Sequence, residues 1–288
     1  MIDDRLGATL GSSPVRRTRV TGGYTPAERW TVMLEDGRSV FVKIGVTALT
    51  AEWLRKEHRL YLDLAAGYMP RLIGWVDGHR PMLILEDLSP AFWPPPWNDD
   101  RVASVLRTLR DVAETSPPPW LPRTVDSNLL ERSWRSVQKD PQPLLSTGAV
   151  DKDWLELALP ALIRAAEMCE LDGGELLHFD VRSDNIAFAT GGRAILVDWS
   201  LAEIGNGRLD IAFWLPSLAR EGGPPPEAVL PDGGIEAAVV AGFFAARAGQ
   251  PEIPDAPGVR AFQLAQLRYA LPWVCRELGL PQPEALQR

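Results

Sequence analysis

The sequence predicts an α+β protein of two lobes, an antiparallel β-sheet lobe with one helix followed by a mainly helical lobe. Between residues 18 and 88, five short apolar runs alternate with turn residues, which is typical of strands in a sheet. From Asn98 onward, apolar residues recur at helical spacing instead. We therefore place residues 1–88 in an N-terminal lobe and residues 89–288 in a C-terminal lobe.

Composition limits the class of protein. The 288 residues carry a net charge of −8, which argues against a nucleic-acid-binding protein, since that class needs a basic face. No apolar run approaches the ~20 residues that cross a bilayer, so we expect no membrane partner. The acidic start at Asp3 and Asp4 is unlike a secretory signal, and we expect a cytoplasmic protein. Cys169 and Cys275 lie in apolar contexts that favour buried thiols over a disulfide.

The most informative stretch begins in the second half of the chain. Two short apolar runs, residues 186–189 and 194–197, flank Gly191-Gly192 and predict a β-hairpin. Such a hairpin brings Asn185, at its entrance, close to Asp198, at its exit.

A carboxylate and an amide oxygen side by side suit Mg²⁺, which takes oxygen ligands and shares them with phosphates. Asn185 and Asp198 are therefore the candidate metal ligands. Asp180, upstream of the hairpin, is then free to face an incoming hydroxyl. Phosphoryl transfer requires this division between a metal on the phosphates and a carboxylate on the nucleophile.

The string His178-x-Asp180-x-x-x-x-Asn185, followed by Asp198-Trp199, resembles the catalytic loop and metal-binding turn of the aminoglycoside phosphotransferase family. These are small-molecule kinases, so the resemblance implies a protein-kinase-like fold and transfer of the γ-phosphoryl group of ATP, with GTP not excluded, to a hydroxyl. It implies that Asp180 is the catalytic base. We expect Arg182 to neutralise charge on the γ-phosphate and His178 to fix the loop through one ring hydrogen bond.

A glycine-containing loop lies near the N-terminus. Gly22 and Gly23 allow the backbone to approach phosphates closely, although a plain hairpin turn explains them as well. The tripeptide Thr25-Pro26-Ala27 resembles the tip of the nucleotide loop in the same family. We therefore interpret Gly22, Gly23 and Thr25 as candidate nucleotide-binding residues.

Lys43 ends the strand predicted after the Asp36-Gly37 turn. A lysine in a strand either points to solvent or, as the family resemblance implies, holds the α- and β-phosphates with a carboxylate on the next helix. That helix is predicted over residues 50–66, with Thr50 as its N-cap. Glu52 and Glu57 are both candidate partners, and the family pattern favours Glu57.

Two further features follow from the resemblance. The acidic end of the fifth strand, Glu86 to Leu88, resembles the hinge whose backbone binds the adenine edge. Asp210 resembles a second acid of the family that supports the catalytic loop, and it is also a candidate N-cap for the helix that follows.

Several helices are predicted in the C-terminal lobe. One begins at Asn98 or Asp99, a second spans residues 126–139 with Leu129 on its apolar face, and a third spans 154–171 with an interruption at Pro160.

Three other functions are compared with that of an aminoglycoside kinase. The same motifs serve a kinase for another small alcohol, such as choline, a sugar or homoserine. A non-catalytic nucleotide-binding protein would normally have lost part of the catalytic set, which is intact here. A metal-dependent hydrolase needs more ligands than the three histidines of this chain provide.

Charge is distributed unevenly between the predicted lobes. Residues 1–88 carry 12 basic and 11 acidic side chains, whereas residues 89–288 carry 18 and 27. The excess of negative charge thus lies in the lobe expected to hold the acceptor. Because such a field attracts cations, we expect a cationic small-molecule acceptor, with an aminoglycoside as the leading case.

Overall fold

The computed structural model describes residues 2–23, 26–127, 130, 133–254 and 256–286. The chain divides into two compact units, one of residues 1–94 and 184–201 and the other of residues 95–183 and 202–288. The predicted lobe boundary after Leu88 lies shortly before the first of these divisions. Residues 184–201, which the sequence placed in the C-terminal lobe, belong to the first unit.

The first unit is built on a five-stranded antiparallel sheet with the order β1-β2-β3-β5-β4. This confirms the predicted fold class. The strands are β1 Pro14–Arg19, β2 Glu28–Leu34, β3 Ser39–Ile44, β4 Leu72–Val76 and β5 Met82–Glu86.

An N-terminal helix, α1 Ile2–Leu10, was not predicted. Its Leu6 is completely buried in an apolar cluster with side chains from one face of the sheet, among them Val32, Val42 and Ile84. Burial of this one helix face against the sheet, rather than a strong helical pattern in the sequence, accounts for α1.

The second helix of this unit, α2 Ala48–Leu64, begins two residues earlier than predicted. Its N-cap is Thr47, whose hydroxyl accepts a hydrogen bond from the backbone N–H of Thr50. The hydroxyl of Thr50 in turn accepts from the N–H of Thr47. Thr50 is therefore the third helical residue of a reciprocal capping box, and its predicted role as N-cap was wrong.

The predicted hairpin is confirmed as strands β7 Ile186–Phe188 and β8 Ala194–Leu196. Gly191 and Gly192 between them both have positive φ, which glycine adopts without strain. In the second unit, β6 Glu175–Leu177 pairs with β9 Glu203–Gly205.

The second unit is otherwise helical, and α9 packs against α4, α6 and α10. Its helices are α3 Asp99–Glu114, α4 Ser133–Lys139, α5 Gln142–Ser146, α6 Lys152–Glu167, α7 Arg208–Arg220, α8 Pro226–Val229, α9 Gly234–Ala248 and α10 Val259–Leu278.

The structure decides three points about these helices. Asn98 is the N-cap of α3, and its side chain accepts from the N–H of Arg101. Pro160 lies inside α6 and does not interrupt it, so that prediction was wrong. The helix predicted over residues 126–139 was wrong in its first part, where a short 3-10 helix ends at Ser127 and residue 130 lies in a turn. An α-helix begins at Ser133, and Leu129 lies outside the described residues.

Two predictions from composition can be compared with the structure. Cys169 and Cys275 are buried free thiols, as expected. Among the described residues, no helix is both long and apolar enough to cross a membrane.

Candidate active site

The side chain of Lys43 is buried on the face of β3 that points away from the apolar cluster of the sheet. Val40, Val42 and Ile44 alternate with it and belong to that cluster. Because successive residues of a strand point to opposite faces, Lys43 is directed to the other side, where Glu57 of α2 meets it. Only 7% of Lys43 is exposed, so the alternative that it points to solvent was wrong.

Two carboxylates surround this ammonium group. Lys43 Nζ donates a 2.8 Å hydrogen bond to Glu57 Oε2 and another of 2.8 Å to Asp198 Oδ1. The other oxygen of Glu57 accepts from the backbone N–H of Trp199. Glu52 is exposed, so Glu57 is the carboxylate of α2 that pairs with Lys43.

Burial and the neighbouring charges shift the pKa values of Lys43, Glu57 and Asp198. Burial lowers the pKa of Lys43, but the carboxylates of Asp198 and Glu57 outweigh this effect and the net shift is upward. Burial raises the pKa of Glu57, against the opposing effect of Lys43. For Asp198, burial acts upward, but Lys43 together with Arg29 and the Ser200 hydroxyl holds the pKa well below its usual range. Asp198 is therefore ionised at neutral pH.

The hairpin places Asn185 beside Asp198, as predicted. The N–H of Val197 donates to the backbone oxygen of Asn185 at 3.0 Å, which joins the two ends of the hairpin. Asp198 follows directly and has a left-handed backbone, with φ +62°. Aspartate tolerates this conformation better than most residues do. Ser200 Oγ donates to Asp198 Oδ1 at 2.9 Å and orients the carboxylate.

The donor set at this point fits Mg²⁺. Asp198 offers a carboxylate that is 26% exposed, and Asn185, the last residue of the predicted catalytic string, lies at the other end of the hairpin. Among the described residues, no group of three or more His, Cys, Asp or Glu side chains is arranged to hold a metal ion. A carboxylate and an amide oxygen suit Mg²⁺, which is commonly held by one or two protein oxygens together with water and phosphates.

The glycine loop is described only in part. Gly22 and Gly23 both have positive φ, of +127° and +77°, and both are exposed. Thr25, the third predicted residue of the loop, lies outside the described residues. Arg29, which the sequence did not single out, donates a hydrogen bond to the backbone oxygen of Ala27 at 3.1 Å.

The predicted hinge residues lie at the end of β5. Glu86 forms an ion pair with Arg71 at 3.2 Å and is partly exposed. The backbone oxygen of Leu88 accepts hydrogen bonds from the N–H of Ala91 and from Trp93 Nε1. The backbone after β5 is thus held in a defined conformation.

The predicted catalytic loop follows β6 in the second unit. The carboxylate of Asp210, on α7, accepts the backbone N–H groups of His178 and Phe179, each at 2.7 Å. His178 is fully buried, and its Nδ1 accepts the N–H of Asp180 at 3.2 Å. These contacts hold the loop in a conformation in which Phe179 has a φ of +63°.

The structure distinguishes the two interpretations of Asp210. Gly207, not Asp210, is the N-cap of α7, so the capping alternative for Asp210 was wrong. Nδ1 of His178 accepts a hydrogen bond within the loop, which agrees with the predicted ring hydrogen bond that fixes this segment. Burial raises the pKa of Asp210 to about 7, against the effect of the two backbone hydrogen bonds.

Asp180 and Arg182 lie next to each other on the loop. Arg182 Nε is 3.5 Å from Asp180 Oδ1, and the guanidinium also lies over the ring of Phe262 at 5.2 Å. The side chain of Asp180 is 27% exposed, whereas that of Arg182 is 13% exposed. The carboxylate of Asp180 is therefore accessible to a ligand.

A support of this loop was missed in the sequence. Ser183 Oγ donates to Glu221 Oε1 at 2.7 Å, and Trp97 Nε1 donates to the other oxygen of Glu221 at 2.9 Å. Glu221 follows the end of α7, 38 residues beyond Ser183, and no local pattern links the two positions.

Comparison with known proteins identifies the class. A five-stranded antiparallel sheet with a buried Lys–Glu pair, in a chain whose other unit is mainly helical, defines a kinase-like phosphotransferase. The model of the phosphotransferase enzyme family matches residues 16–243, and the chain belongs to this family. A comparison with curated proteins gives no match.

Solved structures of the same fold are similar over nearly the whole chain. A thermostable mutant of aminoglycoside phosphotransferase APH(4)-Ia, in a ternary complex with AMP-PNP and hygromycin B, matches with a TM-score of 0.63 at 15% identity, covering 96% of this chain and 98% of that chain. An aminoglycoside phosphotransferase from Alicyclobacillus acidocaldarius gives 0.58 at 16%, covering 94% and 93%. Choline kinase LicA from Streptococcus pneumoniae gives 0.57 at 11%, covering 96% and 97%.

Proposed function

We propose that this phosphotransferase transfers the γ-phosphoryl group of ATP to a hydroxyl of a small molecule. The observation that carries the proposal is the position of Lys43, buried between Glu57 and the ionised carboxylate of Asp198. Kinases use such a lysine, held by a helix glutamate, to bind the phosphates of ATP. The solved relatives described as complexes with AMP-PNP or ADP support the choice of nucleotide.

In this proposal Lys43 binds the α- and β-phosphates and Glu57 keeps its ammonium group in place. Asn185 and Asp198 would hold Mg²⁺, which supplies positive charge against the phosphates when it is bound. Gly22 and Gly23 donate backbone N–H groups to the phosphates, and the backbone from Glu86 to Leu88 binds the base.

Asp180 acts on the acceptor. Its backbone is fixed by His178, and its carboxylate is accessible, so it can orient the hydroxyl and take its proton. Arg182, 3.5 Å from this carboxylate, balances negative charge on the transferred group. Asp210 holds the loop through two backbone hydrogen bonds and does not itself exchange a proton with the acceptor.

The first candidate for the acceptor is a cationic molecule such as an aminoglycoside. Residues 89–288 carry 27 acidic and 18 basic side chains, so their field attracts cations. Two of the solved relatives support a cationic acceptor, since one is described as a complex with hygromycin B and another as a choline kinase.

A second candidate is an alcohol with a neutral, apolar ring. The residues near Asp180 in the second unit include a group of aromatic side chains. Phe179 packs edge-on against Phe213 at 5.5 Å, and Phe213 packs against Phe243 at 5.3 Å. All three rings are half-buried and can therefore contact a ligand.

A screen of alcohols that measures ADP release tests the proposal and separates the two candidates. The panel would contain aminoglycosides, choline, neutral sugars and apolar alcohols, each at low and at physiological ionic strength. For a cationic acceptor, kcat/KM should fall as salt rises, because screening shortens the reach of the field. For a neutral acceptor it should hardly change. If no alcohol stimulates ADP release, the proposed reaction is wrong.

A further inference from the structure

Arg29 lies opposite Lys43 in the sheet of the first unit. The two residues are paired in the antiparallel register of β2 and β3. Directly opposed residues of an antiparallel pair project to the same face, so the guanidinium and the ammonium share one side of the sheet. The side chain of Arg29 is only 12% exposed, which is unusual for an arginine in a strand near the sheet edge.

The guanidinium of Arg29 joins the glycine loop to the candidate metal ligand. Nη1 donates to the backbone oxygens of Ala27, at 3.1 Å, and Gly22, at 3.4 Å. Nη2 lies 4.0 Å from Asp198 Oδ2. Since Lys43 occupies Oδ1 of the same carboxylate, the two oxygens of Asp198 face two different cations.

Gly23 allows the guanidinium to lie directly against the loop. A β-carbon at this position would be 2.8 Å from Nη2 of Arg29 and 2.9 Å from its Cζ. A side chain at residue 23 would therefore displace Arg29. Glycine at position 23 therefore accommodates the guanidinium of Arg29 as well as the positive φ of the loop.

A second cation beside Lys43 is also needed to neutralise the two carboxylates that contact it. Before any metal ion binds, Lys43, Glu57 and Asp198 together carry one positive and two negative charges, which would repel a phosphate. Arg29 makes the group neutral. Lys43 and, to a smaller extent, Arg29 lower the pKa of Asp198.

We propose that Arg29 is a phosphate-binding residue of the nucleotide site. In the nucleotide-free protein it rests against Asp198 and the loop carbonyls. When nucleotide binds, the guanidinium transfers its hydrogen bonds to phosphate oxygens, and Oδ2 of Asp198 becomes available to the metal. A planar guanidinium is suited to this exchange, because its paired donors match the oxygens of a phosphate. This inference rests on the proposed binding of ATP.

The test measures affinity along a series of ligands with increasing numbers of phosphates. Calorimetric titrations would use adenosine, AMP, ADP and ATP, with and without Mg²⁺, on the wild type and on Arg29→Gln and Arg29→Lys. We expect Arg29→Gln to weaken ATP binding roughly 10- to 100-fold, the range for a lost hydrogen bond to a charged group. Adenosine affinity should not change, and Arg29→Lys should recover part of the loss.

Arg38→Gln is the matched control. It removes the same charge from the neighbouring turn, where Arg38 is exposed and pairs with Asp36. This variant should bind all four ligands as the wild type does. Thermal unfolding of each variant shows that the fold is retained.

The possible failures can be told apart. If Arg29→Gln binds ATP as tightly as the wild type, or loses adenosine affinity to the same degree as ATP affinity, the proposed role of Arg29 is wrong. Equal losses of adenosine and ATP affinity would mean that Arg29 only maintains the conformation of the glycine loop. If Arg29→Gln does not fold, Arg29→Lys decides: affinities for ATP and adenosine that fall equally overturn the proposal. If the wild type binds no nucleotide, or Lys43→Ala has no effect on ATP affinity, the proposed function itself fails.

Discussion

The ammonium group of Lys43 and the carboxylate of Glu57 form a buried ion pair, with 2.8 Å between Nζ and Oε2 and with only 1% of Glu57 exposed. Removal of one member of such a pair leaves a buried charge without compensation, which is strongly unfavourable. When Glu57 is removed, this cost is reduced for the ammonium group of Lys43, because Asp198 still pairs with it. In the proposed function, the pair positions the ammonium group for phosphate binding.

Substitution of the two members should produce effects that do not add. Lys43→Met and Glu57→Gln each weaken ATP binding, and the double variant should be little worse than Lys43→Met alone. The coupling free energy in this double-mutant cycle should be about 0.5–3 kcal/mol. Titration of ATP measures it, and Glu52→Gln on the exposed face of α2 is the control. Strictly additive losses would show that the two side chains do not act together.

Asp198→Asn should remove the dependence of nucleotide affinity on Mg²⁺. Asparagine keeps the shape of the side chain and accepts the left-handed backbone at φ +62°, so the loss reports on charge rather than on strain. ATP titrations with and without Mg²⁺ measure the effect, with Asp63→Asn on the exposed part of α2 as the control. An Asp198→Asn protein that still bound ATP more tightly with Mg²⁺ would exclude Asp198 as a metal ligand.

Asp180→Asn should abolish transfer while nucleotide binding survives. Loss of a general base typically lowers the rate ~10²-fold or more. Asp180 belongs to the second unit, whereas Lys43, Glu57 and Asp198 belong to the first. ADP release with the best alcohol from the screen gives kcat, and calorimetry gives the affinity for ATP. Residual turnover above about a tenth of the wild-type value would contradict the role of base.

The stability of the protein should depend on pH through Asp210. Burial raises the pKa of this carboxyl to about 7 in the folded protein, whereas an unfolded aspartate titrates at about 3.9. The folded state therefore holds a proton that the unfolded state releases, and this contribution to stability is full below pH ~4 and is lost as the pH rises to ~7.

Urea unfolding of the wild type and of Asp210→Asn across this range measures the contribution. The advantage of the wild type over the variant should shrink as the pH rises from ~4 to ~7, since asparagine does not titrate. A difference that is constant over this range would mean that Asp210 has the same pKa in both states. Asp151→Asn, at the N-terminus of α6, is a control for a carboxylate that caps a helix.

The sequence predicted those parts of the fold that depend on local patterns. The hairpin around Gly191-Gly192 follows from two apolar runs and a turn, and it brings Asn185 to Asp198 without knowledge of the rest of the chain. The choice of Glu57 over Glu52 depended on a family pattern, and the structure agrees because position 57 lies on the buried face of α2.

What was missed depends on contacts between remote segments. Helix α1 is stabilised by Leu6 in the sheet cluster, and the link between Ser183 and Glu221 spans 38 residues. Arg29 is a different case. A two-residue turn at Asp36-Gly37 would place Trp30 opposite Lys43, whereas the observed register, with Met33 opposite Ser39, places Arg29 there. The opposition of Arg29 and Lys43 therefore depends on the length of the turn, which the local sequence pattern did not predict.

The division of the chain into two compact units bears on how such an enzyme changes its substrate during evolution. Lys43, Glu57, Asn185 and Asp198 all belong to one unit, and Asp180 belongs to the other. Side chains that neighbour Asp180 can therefore be exchanged without rebuilding the surroundings of Lys43. In laboratory evolution, libraries limited to the aromatic positions of the second unit should yield new alcohol preferences while the affinity for ATP is inherited unchanged. These positions are Phe179, Phe213, Phe243 and Phe262.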